Sequence, residues 1–227
     1  MTGSRHRQAV RRGYGLAVAG CGLVLLLVAG LEAWRLQPVG ETGAGQVLRL
    51  AEPPDRPRAA GPPEAPAVPV VPGDPAGVPG RQPPVALRAP AIDLTAPVAG
   101  VGVDPETGEL ALPGADRAGW YRLGPGLEAS RGSVVIAGHV DTRDGPGVFF
   151  RVAELAPGDR IELTATGGAA RSFRVVGREV HRKGELPLER YFDPGGRLRL
   201  TLITCTGPFD RRTGSYRDNV VVTAVPD

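Results

Sequence analysis

Short apolar runs separated by turn residues fill the chain from Val85 to Asp227. Each run is rich in Val, Ile or Leu and is bounded by Gly, Pro or Asp. This spacing is typical of strands joined by tight turns, and no long amphipathic helix competes with it. The runs are VALRAPAIDL, GELALPG, SVVIAGHV, RIELTAT, RSFRVVGREV, RLRLTLITC and NVVVTAV. The pattern predicts a small all-β barrel or sandwich over residues 85–227, with short helical turns near 147–153 and 186–191.

An uncharged apolar stretch, Tyr14 to Leu31, lies near the N-terminus. As a helix it would span about 27 Å, close to the ~30 Å hydrocarbon core of a bilayer. Four arginines precede it, so the positive-inside rule places residues 1–13 in the cytoplasm and the rest outside. We expect a transmembrane signal anchor over residues 14–34, in the plasma membrane. A cleavable signal peptide is the alternative, although Leu31 is bulky for the −3 position of a cleavage site after Ala33.

Proline is concentrated between this anchor and the apolar runs. The segment Pro53 to Pro97 holds more than half of the prolines of the chain. A helix interior or a central strand does not tolerate that density. Residues 35–84 are therefore predicted to form an extended, polyproline-like extracellular linker. A ligand for an SH3-type domain is the other use of such a sequence.

The basic excess of the chain belongs to the N-terminal tip. The formal net charge is +3, whereas the region 85–227 holds basic and acidic residues in equal number. A folded part with balanced charge lacks the electrostatic footprint of a nucleic-acid-binding protein, so we expect no nucleic acid partner.

Cys205 is the first candidate for chemistry, because it ends the apolar run RLRLTLITC. The only other cysteine, Cys21, lies in the predicted membrane helix, so the two cannot pair. A free thiol outside the cell is at risk of oxidation. It is either a small buried hydrophobe or a nucleophile.

Two further residues lie at strand ends and suit a nucleophilic thiol. His139 ends the run SVVIAGHVD and can exchange protons near neutral pH. Arg217 opens the last run, YRDNVVVTAV. If the last two strands are antiparallel neighbours, the loop 206–216 brings Arg217 beside Cys205, where a guanidinium can hold an oxyanion. His181 stands in the polar segment HRKGE and is expected at the surface.

These segments resemble sortases. The resemblance is carried by TLITC, by GHVD upstream of the cysteine, and by Arg217 downstream of it. GWYRLGP, GHVDT, VFF, ELAPGD and LITCTGPFDRRTGSYRDNVVVTA are more similar to the actinobacterial class F group than to class A. The resemblance covers residues 85–225 and implies a closed eight-stranded β-barrel that acts as a cysteine transpeptidase.

The resemblance also implies a role for each residue. Cys205 would attack the Thr–Gly carbonyl of an LPxTG-like sorting signal, Arg217 would stabilise the oxyanion, and His139 would act as general acid. The thioacyl enzyme would be resolved by an amine of a cell-wall precursor or a pilin. Thr204 is either a substrate contact or a strand threonine bonded to the backbone. Asp141 can share a face with His139 and orient it.

No cofactor and no metal are expected, because Cys205 and His139 alone supply too few ligands. Other extracellular cysteine enzymes fit less well. Some cell-wall peptidases carry Cys at the start of a helix with His later in the chain, and L,D-transpeptidases group His, Gly and Cys in one motif. A degenerate, membrane-tethered barrel that only binds a partner remains the alternative function.

Overall fold

The computed structural model of the protein describes residues 40–51 and 82–227. The predicted cytoplasmic tip (1–13), the predicted anchor (14–34) and most of the predicted linker (35–84) lie outside these ranges. Among the described residues, no helix has both the length and the apolar character that a membrane span requires.

The described residues form a mostly β structure. In chain order its elements are α1 (Ala44–Ala51), β1 (Pro84–Ala89), a 3₁₀ turn (Pro90–Ile92), β2 (Leu94–Val101), β3 (Ala118–Tyr121), β4 (Ser133–Ala137), β5 (Asp141–Thr142), β6 (Gly145–Pro146), a second 3₁₀ turn (Val152–Glu154), β7 (Arg160–Ala165), β8 (Ala170–Arg182), α2 (Leu188–Tyr191), β9 (Arg199–Asp210) and β10 (Ser215–Pro226). The second 3₁₀ turn and α2 confirm the two predicted helical turns.

Eight strands close into a barrel in the order β1-β2-β3-β4-β9-β10-β8-β7, and β5 and β6 form a separate hairpin. Neighbouring strands are antiparallel except for the pairs β2–β3 and β4–β9, which are parallel. The all-β prediction is confirmed, and so is the closed eight-stranded barrel that the resemblance implied.

Alternate side chains of the central strands fill two apolar clusters. Leu200 and Leu202 of β9 point into the barrel with the main core. Ile203, the next residue, belongs to a second cluster on the outside of the barrel. We call this second group the outer cluster; its buried members are Val47, Val135, Ala137, Tyr191, Ile203 and Val221. Because both faces of β4 and β9 are covered, these strands read as continuous apolar runs.

Two local expectations differ from the structure. The run GELALPG, expected to be a strand, makes only an isolated bridge between Val103 and Leu110. Leu110 and Leu112 pack against the outer cluster instead, and Pro113 follows at once, which limits ladder formation. The strand β3 overlaps the start of GWYRLGP, a segment without the alternation that marks a strand.

Residues 40–51, within the predicted linker, are packed against the barrel. Thr42 and Arg178 of β8 exchange backbone hydrogen bonds of 2.7 and 2.5 Å. Val47 of α1 is 3% exposed and lies in the outer cluster. A Cβ at Gly43 would collide with the carbonyl of Val176, so the close contact between this segment and β8 requires glycine at position 43. The segment AGQVLRLA contains no proline and offers Val47 and Leu50 on one face, which is why it can dock.

Candidate active site

The parallel pair β4–β9 brings His139 to the level of Cys205. The register aligns Ala137 with Ile203. One residue further, the Gly138 amide donates to the Ile203 carbonyl at 3.2 Å. His139 follows Gly138 directly, and Cys205 lies two residues after Ile203, so both residues lie near the end of the parallel pairing. The fold therefore brings to one edge of the sheet the two segments that carry Cys205 and His139, although they are far apart in the sequence.

Thr204 joins the two segments at the same point. Its side chain is buried, and its hydroxyl donates to the Gly138 carbonyl at 2.8 Å. The hydrogen bond therefore joins the residue that precedes Cys205 to the residue that precedes His139. The structure thus places Thr204 as a strand threonine bonded to the backbone, which was one of its two expected roles.

The His139 ring is held by a backbone carbonyl. Its Nε2 lies 3.1 Å from the oxygen of Pro113, which can only accept a hydrogen bond. Nε2 therefore carries a proton, and Nδ1 is left for proton exchange. Asp141, which the sequence allowed as one possible partner of this ring, accepts a hydrogen bond from the Tyr216 hydroxyl. Sequence reasoning missed Pro113, because a carbonyl group leaves no residue-type signal.

The last two strands are antiparallel neighbours, as expected, but they extend beyond the predicted strand ends. β9 continues through Cys205 to Asp210 and β10 starts at Ser215, so most of the expected loop 206–216 is a hairpin. The residue directly opposite Cys205 is Asn219. The register shifts between Tyr216 and Asp218, which leaves Arg217 at an irregular position.

Arg217 is paired with its own neighbour in this structure. Its Nε lies 3.0 Å and its terminal nitrogen 2.8 Å from oxygens of the Asp218 carboxylate. The Arg217 side chain is 57% exposed, whereas that of Asp218 is 9% exposed. The exposed guanidinium thus lies near the turn end of the hairpin and is held by a buried carboxylate.

Gly207 makes room for that carboxylate. Its φ is +79°, and a Cβ at this position would collide with the carboxylate of Asp218. Only glycine combines this backbone conformation with an open side toward Asp218. Gly207 lies on β9 where the register with β10 shifts, which makes this part of the strand a β-bulge. Because Gly207 comes two residues after Cys205, the bulge shapes the immediate surroundings of the thiol.

Cys205 is half-buried and free. Burial raises the pKa of its thiol, the charge of Lys183 lowers that pKa, and the charges of Glu109 and Asp141 raise it. The net direction is upward, so the thiol is mostly protonated at neutral pH. A nucleophilic Cys205 must act through a minor thiolate population.

His181 is half-buried rather than at the surface, so the sequence expectation is wrong here. Its Nε2 lies 2.7 Å from the Tyr191 hydroxyl, which donates to Glu179 at 2.9 Å. Burial, followed by the charge of Glu179, raises the pKa of Tyr191. A polar sequence context did not reveal this network, because Tyr191 lies on another element, α2.

The described ranges contain no group of three or more His, Cys, Asp or Glu side chains placed to hold a metal ion. The chemistry available at this end of the barrel is that of a thiol, an imidazole and a guanidinium. Together these groups can form and resolve a covalent acyl intermediate.

Comparisons with known proteins identify the family of this domain. Residues 87–227 match the family model of the sortase domain. A search of curated proteins found no match. Among solved structures, sortase A from Corynebacterium diphtheriae is 22% identical with a TM-score of 0.48, and the match covers 65% of this chain and 62% of that one. The chain thus spans less than two thirds of the length of that protein.

Two further solved structures have similar scores. The pilus-related sortase C of Group B Streptococcus is 16% identical, with a TM-score of 0.48 and coverage of 65% and 68%. Sortase C1 from Streptococcus suis is 16% identical, with a TM-score of 0.49 and coverage of 65% and 74%. All three scores lie below 0.5, so the assignment rests on the family model, which spans most of the chain. The chain belongs to the sortase domain family.

Proposed function

We propose that this protein is a membrane-anchored cysteine transpeptidase that cleaves LPxTG-like sorting signals and transfers the acyl group to an amine. The observation that supports this most directly is that the segments carrying Cys205 and His139 reach the same end of the β4–β9 pair, next to the strand that carries Arg217. Membership of the sortase domain family agrees with it.

The first half of the reaction forms a thioester. The Cys205 thiolate attacks the scissile carbonyl, and the Arg217 guanidinium stabilises the negative charge that develops on its oxygen. The protonated His139 gives its proton to the departing amine as the C–N bond breaks. Because burial raises the pKa of the thiol, only a small part of the enzyme carries the thiolate at neutral pH.

The second half reverses these roles. An incoming amine attacks the thioester carbonyl, His139 takes its proton, and the Cys205 thiolate leaves as the new amide forms. The thioester conserves the reactivity of the broken amide, so the transfer needs no other energy source. In this proposal the amine belongs to a cell-wall precursor or a pilin, and water gives slow hydrolysis when the amine is absent.

The cellular setting belongs to the same proposal. The uncharged stretch 14–31, with arginines before it, supports a single-pass anchor in the plasma membrane with the barrel outside. The segments GWYRLGP and LITCTGPFDRRTGSYRDNVVVTA support the class F group of actinobacterial sortases.

Intact mass spectrometry of the full chain in detergent tests the proposed activity. The Cys21→Ala chain is incubated with LPxTG and LAxTG peptides, with and without triglycine. We expect an acyl adduct on Cys205 and a Gly-extended product, both absent in Cys205→Ala and reduced in Arg217→Ala. A folded chain that binds these peptides equally well with and without Cys205, and never forms an adduct, would instead be a non-catalytic binding module.

A further inference from the structure

Lys183 is the sole lysine of the chain, in which every other basic side chain apart from histidine is arginine. It follows the end of β8 and is tied to the proposed active site through the backbone. Its amide donates to the carbonyl of Arg217 at 2.9 Å. The residue is therefore fixed next to the strand position that carries the guanidinium.

The sheet register places Lys183 on the same face as Cys205. His181, Asn219 and Cys205 lie opposite one another on three adjacent strands. Lys183 follows His181 by two residues, so it continues the same face one pair further along. Adjacent strands are about 4.8 Å apart, and the β8 and β9 backbones at this level are therefore separated by about 10 Å. A lysine side chain that extends across β10 shortens this separation, so its ammonium can act on the thiol through its charge.

The Lys183 ammonium is held from two sides. Nζ donates to the Ser215 hydroxyl at 2.8 Å and lies 3.7 Å from a carboxylate oxygen of Glu109. Ser215 belongs to the β9–β10 hairpin. Glu109 belongs to the loop between β2 and β3, which also carries Pro113, the partner of His139. The ion pair thus joins the segment after β8 to the loop between β2 and β3.

We propose that Lys183 is a positioning residue for Cys205. Its ammonium, held by the Ser215 hydroxyl, stabilises the Cys205 thiolate, and the negative charge of Glu109 weakens that stabilisation. The inference deepens the proposed transpeptidase function and rests on it. Arg217 is bound to the Asp218 carboxylate at 2.8 Å, whereas the Lys183 ammonium lies 3.7 Å from its carboxylate partner Glu109.

The other titratable groups around the thiol are accounted for. The Asp141 carboxylate accepts a hydrogen bond from the Tyr216 hydroxyl, while the ring of His139 is hydrogen-bonded to the Pro113 carbonyl. His181 is directed to Tyr191. The charges of Lys183 and Glu109 act on the thiol with opposite signs, as their effects on its pKa also indicate.

This opposition makes the test sharp. Lys183→Met and Glu109→Gln break the same ion pair. If the only effect were a loosening of the two segments, the alkylation rate of Cys205 would change in the same direction in both variants. An electrostatic action on Cys205 predicts opposite changes. In the full-length Cys21→Ala chain, iodoacetamide reacts with a single thiol, and its rate follows the thiolate population.

At pH 7 we expect Lys183→Met to slow alkylation by about two- to fivefold and Glu109→Gln to accelerate it by a similar factor, as for a partly screened charge. Lys183→Arg should restore most of the rate. Arg88→Met removes an exposed positive charge from β1, across the barrel, and should leave the rate unchanged.

Equal signs for Lys183→Met and Glu109→Gln, or no change in either, would overturn the proposal. Glu109 is 70% exposed, so Glu109→Gln keeps the test valid if Lys183→Met unfolds. Alkylation needs no sorting signal and no amine. Its result therefore stands apart from the peptide assay, which alone decides whether the chain is a transpeptidase.

Discussion

The Asp218 carboxylate anchors the Arg217 guanidinium at 2.8 Å while lying buried beside Gly207. In a regular strand, adjacent side chains point to opposite faces and do not meet. The bulge opposite Arg217 removes that restriction. Arg217 is thereby held by a charge-assisted, two-oxygen contact at the end of the hairpin, close to the proposed nucleophile.

Asp218→Asn is expected to lower the rate of acylation by about tenfold, because one amide oxygen cannot hold the guanidinium as two carboxylate oxygens do. The measurement is the second-order rate of adduct formation with the LPxTG peptide. Glu185→Gln removes an exposed carboxylate from the loop before α2 and serves as the charge control. An unchanged or faster rate in Asp218→Asn would show that the pairing does not support catalysis.

Gly207→Ala is expected to destabilise the protein by roughly 2–4 kcal/mol, from a positive φ together with a collision against Asp218. Gly214→Ala is the matched control, because its φ is +66° and nothing lies within 4 Å of the added Cβ. It should cost only about 1 kcal/mol. Chemical denaturation measures both, and equal losses would mean that the packing of Asp218 against Gly207 is unimportant.

The strands of the barrel were largely predictable, because they depend on local pattern. Val134 to Ala137 and Leu200 to Ile203 are apolar on both faces, which marks central strands. Neither segment reveals by itself that the two strands pair in parallel. The register shows this pairing, and it brings the ends of the segments that carry His139 and Cys205 to one edge of the sheet.

The parts that sequence reasoning missed depend on contacts between distant segments. The Pro113 carbonyl beside His139 has no side-chain signature. The docking of α1 depends on the packing of Val47 in the outer cluster. A short helix in a proline-rich region carries no sequence signal that predicts such a contact. The half-buried position of His181 depends on Tyr191, a residue of α2.

Thr204→Val is expected to cost about 1–3 kcal/mol, because it leaves the buried Gly138 carbonyl without its side-chain donor. The segment that carries His139 should also loosen and acylation should slow. Thr204→Ser keeps the hydroxyl and should retain both stability and most of the activity. A full loss of peptide turnover in Thr204→Ser would point instead to a substrate contact through the threonine methyl group.

Stability at alkaline pH should depend on Cys205. Burial raises the pKa of the folded thiol above its unfolded value, so the stability it contributes is present below the unfolded pKa and is lost as pH rises toward the folded one. In the Cys21→Ala background, unfolding free energies should fall more steeply above about pH 8.5 for the parent than for Cys205→Ser. Parallel pH profiles for the two chains would contradict this ionisation.

The docking of α1 should stabilise the barrel near its active end. Val47 is 3% exposed and packs in the same outer cluster as Ile203, which lies two residues before Cys205 on the same face. Val47→Asp places a charge in this apolar contact and should release residues 40–51, since an unpaired carboxylate is strongly disfavoured there.

Hydrogen exchange measures this release directly. The amides of Thr42 and Arg178 donate to each other's carbonyls, so both should exchange at least tenfold faster in Val47→Asp. Gln46→Asp introduces the same charge at the neighbouring, exposed position and should leave both amides protected. If Val47→Asp keeps them protected as well, the backbone bridge alone holds the segment. If these amides exchange faster and acylation by Cys205 also slows, the packing of α1 supports the part of β9 that carries Cys205. Among the described residues, Val47 and Ile203 are linked through the outer cluster, which would transmit the effect.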